Sequence, residues 1–194
     1  MSLIIAKNTS GGFGTGADLT INGETNGRGG GNISTNVADG YQALQNNTTG
    51  YENVAVGYLA LKNNTSGQYN TAVGPQTLTN LTTGIDNTAI GVWALQNLTT
   101  GQKSVGIGEN AGRLNTTGDY NVSIGSRAGY YNLVSDNNVA VGGYAAHHGL
   151  GGENTAIGYN SQYGGDASSI LAIKNTSVGG ESLSKIFQGN STRH

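Results

Sequence analysis

The chain has 194 residues with 34 Gly, 1 Pro and no Cys, and its formal net charge is −2. Without cysteine there is neither a disulfide framework nor a thiolate metal site, and 9 Lys and Arg spread along the chain form no basic stripe, so nucleic acid is not an expected partner. A hydrophobic fraction of 35%, poor in Leu and Phe and ordered in its Asn, Thr and Gly, excludes simple disorder and a thick globular core, and points to a thin repetitive β core.

The start, Met1 to Lys7, has no basic leader and too short an apolar run for a signal peptide, and no later segment is apolar enough to span a membrane. The expectation is a protein made in the cytosol and carried out by a particle, with no membrane insertion. Residues 1–35 lie outside the repeat and include Gly29-Gly30-Gly31. They read as an N-terminal arm, either flexible or ordered by docking on a particle.

From Asn36 to Gly164 the chain repeats. An apolar residue precedes Gly57, Gly74, Gly91, Gly108, Gly125, Gly142 and Gly158, with five steps of 17 residues and a last step of 16. Counting back 17 reaches Gly40, preceded by Asp39, which makes eight copies with an atypical first one, as expected of a capping repeat. Four residues before each Gly stands an Asn column of Asn36, Asn53, Asn70, Asn87, Asn121, Asn138 and Asn154, broken by Ser104. Next come a branched column (Val54, Thr71, Val105) and a small column (Ala55, Ala72, Gly106). This alternation predicts a short strand in every copy, its small side in close backbone approach and its branched side in need of a partner layer. The Asn column should form a ladder of side-chain amides between coils.

After each Gly, the third position is small and the fourth runs Leu44, Leu61, Leu78, Leu95, Gly112, Gly129, Ala146. A second strand is expected there, with a core that tapers toward the C-terminal end. The second position after each Gly (Gln42, Leu59, Gln76, Trp93, Asn110, Arg127, Tyr144, Asn160) shares no side-chain property and reads as exposed. Trp93, Tyr144 and Arg127 are therefore the receptor-contact candidates, while Tyr41, Tyr58 and Tyr159, beside the Gly column, read as rings buried between chains. One Val, one Ile and one Leu per coil offer little burial against the entropy of ordering about 17 residues. A second apolar layer is expected from identical chains around an axis.

The motif Asn-x-Ala-Ile/Val-Gly, as in Asn53 to Gly57, Asn87 to Gly91 and Asn138 to Gly142, resembles the head repeat of trimeric autotransporter adhesins of the YadA type. It is similar also to the versions of that repeat in phage tail fibres and trimeric fibre tips, where links such as Gly57 to Gly67 follow the strand. The resemblance covers about two-thirds of the chain. It implies an all-β, left-handed parallel β-roll of about eight 17-residue coils, a homotrimer, and attachment to a surface. The repeat here is longer than in the best-known heads, and no secretion signal, stalk or barrel anchor is recognisable. The expected function is thus a non-catalytic virion fibre or attachment protein. It would join other virion or tail proteins through its N-terminal segment and bind a host-surface glycan or protein. A structural decoration protein and a bacterial surface adhesin are the alternatives.

Enzyme motifs are matched only in fragments. The hexapeptide pattern of β-helix acyltransferases fits Val56 to Ala60, Ile90 to Ala94 and Ile124 to Ala128, but once per coil where three are needed. No cofactor is implied. His147 and His148 are the candidate metal ligands; with no carboxylate motif beside them, a solvated or interfacial pair is the preferred reading. Glu52, Asp86 and Glu153 share one column with Tyr69, Lys103 and Tyr120, which argues against a carboxylate dyad. Residues 165–194 read as a second non-repeat tail. Within it Ile173-Lys174-Asn175-Thr176-Ser177 echoes Ala6-Lys7-Asn8-Thr9-Ser10.

Overall fold

The computed structural model of the chain describes residues 19–21, 24–148, 151–163 and 174–183. These form a β-solenoid with one short strand per coil. The strands are β1 (Leu19–Ile21), β2 (Glu24–Gly27), β3 (Val37–Tyr41), β4 (Val54–Val56), β5 (Thr71–Val73), β6 (Thr88–Ile90), β7 (Val105–Ile107), β8 (Val122–Ile124), β9 (Val139–Val141), β10 (Thr155–Ile157) and β11 (Thr176–Val178). All eleven lie in a single sheet in chain order. From β3 onward every pairing is parallel; between β3 and β9 residues 17 apart sit opposite one another, as in Val54 on Thr71 and Ala72 on Ala89, and the offsets are 16 from β9 to β10 and 21 from β10 to β11, as in Val139 on Thr155 and Thr155 on Thr176.

The alternation read from the sequence sets the two faces of this sheet. Ala55, Ala72, Ala89 and Ala156 point inward and are fully buried, because only a small side chain fits between the strand and the returning turns of the same coil; Ser123 and Ser177 occupy the column elsewhere. Val54, Thr71, Thr88, Val105 and Val122, with the Val or Ile two residues on, point outward. The Asn column forms the expected ladder. Asn70 Nδ2 donates to Asn53 Oδ1 (3.1 Å) and to the Gly84 carbonyl (2.9 Å), while its own Oδ1 accepts the Asn87 backbone N–H at 3.0 Å. Each buried amide thus satisfies backbone groups of two coils. The Gly that ends each strand has no substitute: Gly91 sits at φ +123°, and a Cβ there would stand 2.8 Å from the carbonyl carbon and oxygen of Gly108.

The second strand expected after each Gly does not form. That stretch is a run of turns in which alternate residues are left-handed, for example Leu59 (φ 59°) and Leu61 (φ 49°), or Trp93 (φ 59°) and Leu95 (φ 47°). Two such residues in three curl the backbone back over the sheet and rule out an extended strand. Hydrogen bonds to both neighbouring coils hold the conformation: Leu59 N–H donates to Tyr41 O (2.9 Å) and Leu61 N–H to Thr77 O (3.1 Å). The turn delivers Leu44, Leu61, Leu78 and Leu95 into a core shared with Leu81, Leu98 and the strand alanines. Past Leu95 the row shrinks to Gly112 and Gly129. There is no void at Gly112, since Leu95 leans over it and a Cβ would come 2.6 Å from Leu95 Cδ2. A smaller alanine core (Ala128, Ala140, Ala145, Ala146, Ala156) follows.

Both ends depart from simple stacking. β2 pairs antiparallel with β3, and β1 antiparallel with β2, while Gly30 N–H donates to Leu44 O at 2.9 Å. The described part of the N-terminal segment is therefore a cap on the first coil, where the sequence suggested an arm either flexible or ordered by docking; the part before residue 19 lies outside the described residues. At the other end the ladder passes the boundary set at residue 164. After a step of 21 residues from Gly158 to Gly179, β11 pairs parallel with β10 and Asn175 N–H donates to Asn154 Oδ1 at 3.0 Å. No helix among the described residues is long and apolar enough to cross a membrane.

Candidate functional site

The outward face of the sheet is the most extensive unusual surface. Its two branched columns leave Ile90 41%, Ile157 40% and Val178 66% exposed, although these are the most apolar side chains of their strands. Tyr41 and Tyr58 border it, stacked with ring centroids 5.6 Å apart and 13° between planes. In the single chain these rings and Tyr159 are exposed. Singly exposed apolar groups are ordinary; a continuous ridge of half-buried and exposed ones along one sheet is not.

The column read as exposed, two residues after each Gly, is mostly half-buried. Its common property is conformational: Gln42, Leu59, Gln76, Trp93, Asn110, Arg127, Tyr144 and Asn160 all have φ between 52° and 59°. Trp93 and Tyr144 are half-buried, Asn110 is buried and Arg127 is exposed. The Arg113 guanidinium lies 4.9 Å over the Trp93 ring and is fixed by Gln96 Oε1 (2.9 Å) and Asn110 Oδ1 (3.1 Å). Arg127 lies 5.6 Å over the Tyr144 ring. Two of the three receptor-contact candidates, Arg127 and Tyr144, are thus in mutual contact, whereas Trp93 belongs to an arginine outside that set.

His147 and His148 belong to an aromatic ladder. Tyr130, His147 and Tyr163, one per coil, stack at centroid distances of 5.4 and 5.2 Å with interplanar angles of 16° and 9°, and Tyr131 stacks on His148 at 5.4 Å. The signal was present in the sequence, since Tyr130-Tyr131 and His147-His148 are one repeat apart, but it shows only when the rungs are superposed. His147 is 9% exposed, and burial, then the neighbouring His148 and Arg127, pulls its pKa from 6.5 to about 4. Among the described residues no group of three His, Asp or Glu is placed to hold a metal.

The carboxylates serve the scaffold. Asp119 and Asp136 each accept a backbone N–H from the preceding coil at 2.8 Å, and Glu153 pairs with Lys174 at 3.7 Å. In the same stripe, Tyr69 donates its hydroxyl to Tyr51 (3.3 Å), a bond that raises its pKa to about 12, and Lys103 donates to the Tyr120 hydroxyl at 3.2 Å.

No protein-family model matches this chain, and no curated protein or solved structure does either. The likeness to adhesin heads therefore rests on the repeat motif alone.

Proposed function

We propose that this chain is a non-catalytic fibre protein of a virion that works in host attachment, as a homotrimer whose protomers pack the outward faces of β4–β10 against one another. The observation that carries this reading is the inverted burial of the strand: its small residues are inside and its Val and Ile outside, so the bulk of its apolar side chains is buried only when another surface covers the sheet. A three-fold arrangement is favoured by the motif's resemblance to trimeric heads. The attachment role is favoured by the Trp93–Arg113 and Tyr144–Arg127 pairs, which offer aromatic faces and a guanidinium to a host-surface glycan or protein.

Fluorescently labelled protein is expected to adsorb to host bacterial cells and to lose most of that binding on Arg127→Ala or Trp93→Ala, with its mass unchanged. A trimer that adsorbs to no cell type would leave the decoration role and remove the receptor-binding one.

A further inference from the structure

Among the described residues the stack ends on an unpaired edge. In every earlier coil the N–H of the branched residue donates to the next coil, as Thr155 N–H does to Asn175 O (2.8 Å), and the carbonyl before the Gly accepts from it, as Ile157 O does from Gly179 N–H (2.8 Å). At the last coil Thr176 N–H and Val178 O have no such partner. Gly158 would carry a Cβ 2.6 Å from the next coil's Gly179 carbonyl, whereas a Cβ on Gly179 would meet nothing within 4 Å. An open parallel edge of this kind is a template for one more strand.

The same chain contains a sequence that fits it. Asn8-Thr9-Ser10-Gly11-Gly12 reproduces Asn175-Thr176-Ser177-Val178-Gly179 in four of five columns, and Lys7 matches Lys174 before them. Thr15 falls where Ser182 stands, the residue whose hydroxyl lies 2.7 Å from that of Ser177. In sequence, this stretch repeats the last described rung ahead of β1. Its own coil 1 cannot take it there, because β2 already occupies that edge in the antiparallel sense. Nor can it reach its own β11. Ten strand spacings at about 4.8 Å separate β1 from β11, about 48 Å, and the three residues from Gly16 to Leu19 span only about 10 Å.

We infer that residues 7–16 of one copy add a strand to the β11 edge of a second copy and so join solenoids end to end. In this register Asn8 lies on Asn175, Ser10 on Ser177 and Gly12 on Gly179, and Gly12 N–H donates to Val178 O. The polarity is consistent, since β1 is antiparallel to β2, β2 is antiparallel to β3, and β3 to β11 are parallel. The joint is independent of lateral packing, because the edge exists in each chain.

The test is sedimentation velocity and negative-stain electron microscopy of the full chain over a hundredfold concentration range. Two variants go alongside: Ser10→Pro on the donor and Val178→Pro on the acceptor, where the lost amide has no partner within its own chain. The wild type is expected to form rods in integer multiples of one solenoid length, and each variant to stay at one length with an unchanged lateral mass. A labelled peptide of residues 3–16 is expected to bind the Ser10→Pro protein at least tenfold more tightly than its own Ser10→Pro version does. Multiples that persist in either variant would overturn the inference. So would a wild type that stays at one length and leaves the peptide unbound, the outcome if residues 184–194 cover the edge. Failure of lateral packing would show separately, as a one-copy cross-section.

Discussion

At the residue scale, the fold depends on three kinds of position that tolerate little. Gly91→Ala puts a methyl 2.8 Å from the Gly108 carbonyl at a φ that L-residues rarely adopt, and is expected to destabilise by about 3 kcal/mol or more, read as a lowered midpoint of urea unfolding. Asn70→Ala removes the side chain that serves Asn53, Gly84 and Asn87 and leaves buried polar groups unpaired at about 1–3 kcal/mol each; a midpoint within error of wild type would disprove the ladder's role. The left-handed columns behave in the opposite way. Glu52 is exposed at φ 53°, so Glu52→Gly relieves about 1 kcal/mol of backbone strain against a similar entropic cost and is expected to leave the midpoint unchanged or raised. His147 supplies a pH signature. Its folded pKa of about 4 lies below the ordinary 6.5, so the unfolded chain takes up the proton first as pH falls. The contribution of this residue to stability is complete above about pH 6.5, is lost as the pH falls toward about 4, and changes no further below. Thermal unfolding of His147→Phe should lack that decline.

At the scale of the element, the short strand was legible and the turn was not. Period-2 alternation with Gly at a fixed place is a local signal that survives in every copy, and even the Asn ladder followed from column identity. The turn columns escaped because their common property is backbone conformation: Leu59, Gln76, Trp93 and Arg127 share a left-handed φ and nothing in their side chains. A column without common chemistry was read as exposed, when the hydrogen bonds of its main chain to the previous coil define it. The N-terminal cap was missed for a different reason. Asn22-Gly23 between Leu19–Ile21 and Glu24–Gly27 is a strong two-residue hairpin signal, but a search for repeats passes over elements that occur once. β11 was missed because a 21-residue step breaks the count while keeping Asn175, Ser177 and Gly179 in their columns. At this scale the lateral face makes its own prediction. Ile107→Lys places a charge on the outward side of the central strand β7 and is expected to split the assembly into single chains, by light scattering, without loss of β-sheet circular dichroism.

At the scale of the whole molecule, a column of thin coils carries the Val and Ile of its strands outside, with one end capped by a hairpin and, among the described residues, the other open. The inside is closed by alanines, glycines, a Leu row that fades after Leu95, and Leu81 and Leu98; ladders of hydrogen bonds stiffen the solenoid, and its outward apolar face remains available for association. Lateral packing and end-to-end joining use different surfaces of the same rod and can be separated by mutation. The most direct measurement is multi-angle light scattering on the Ser10→Pro chain, in which end joining is blocked. Three times the 19.7 kDa mass of one chain, unchanged over a hundredfold dilution, is expected. A stable species with the mass of one chain would contradict the claim that the outward sheet face is made to be covered by its own copies.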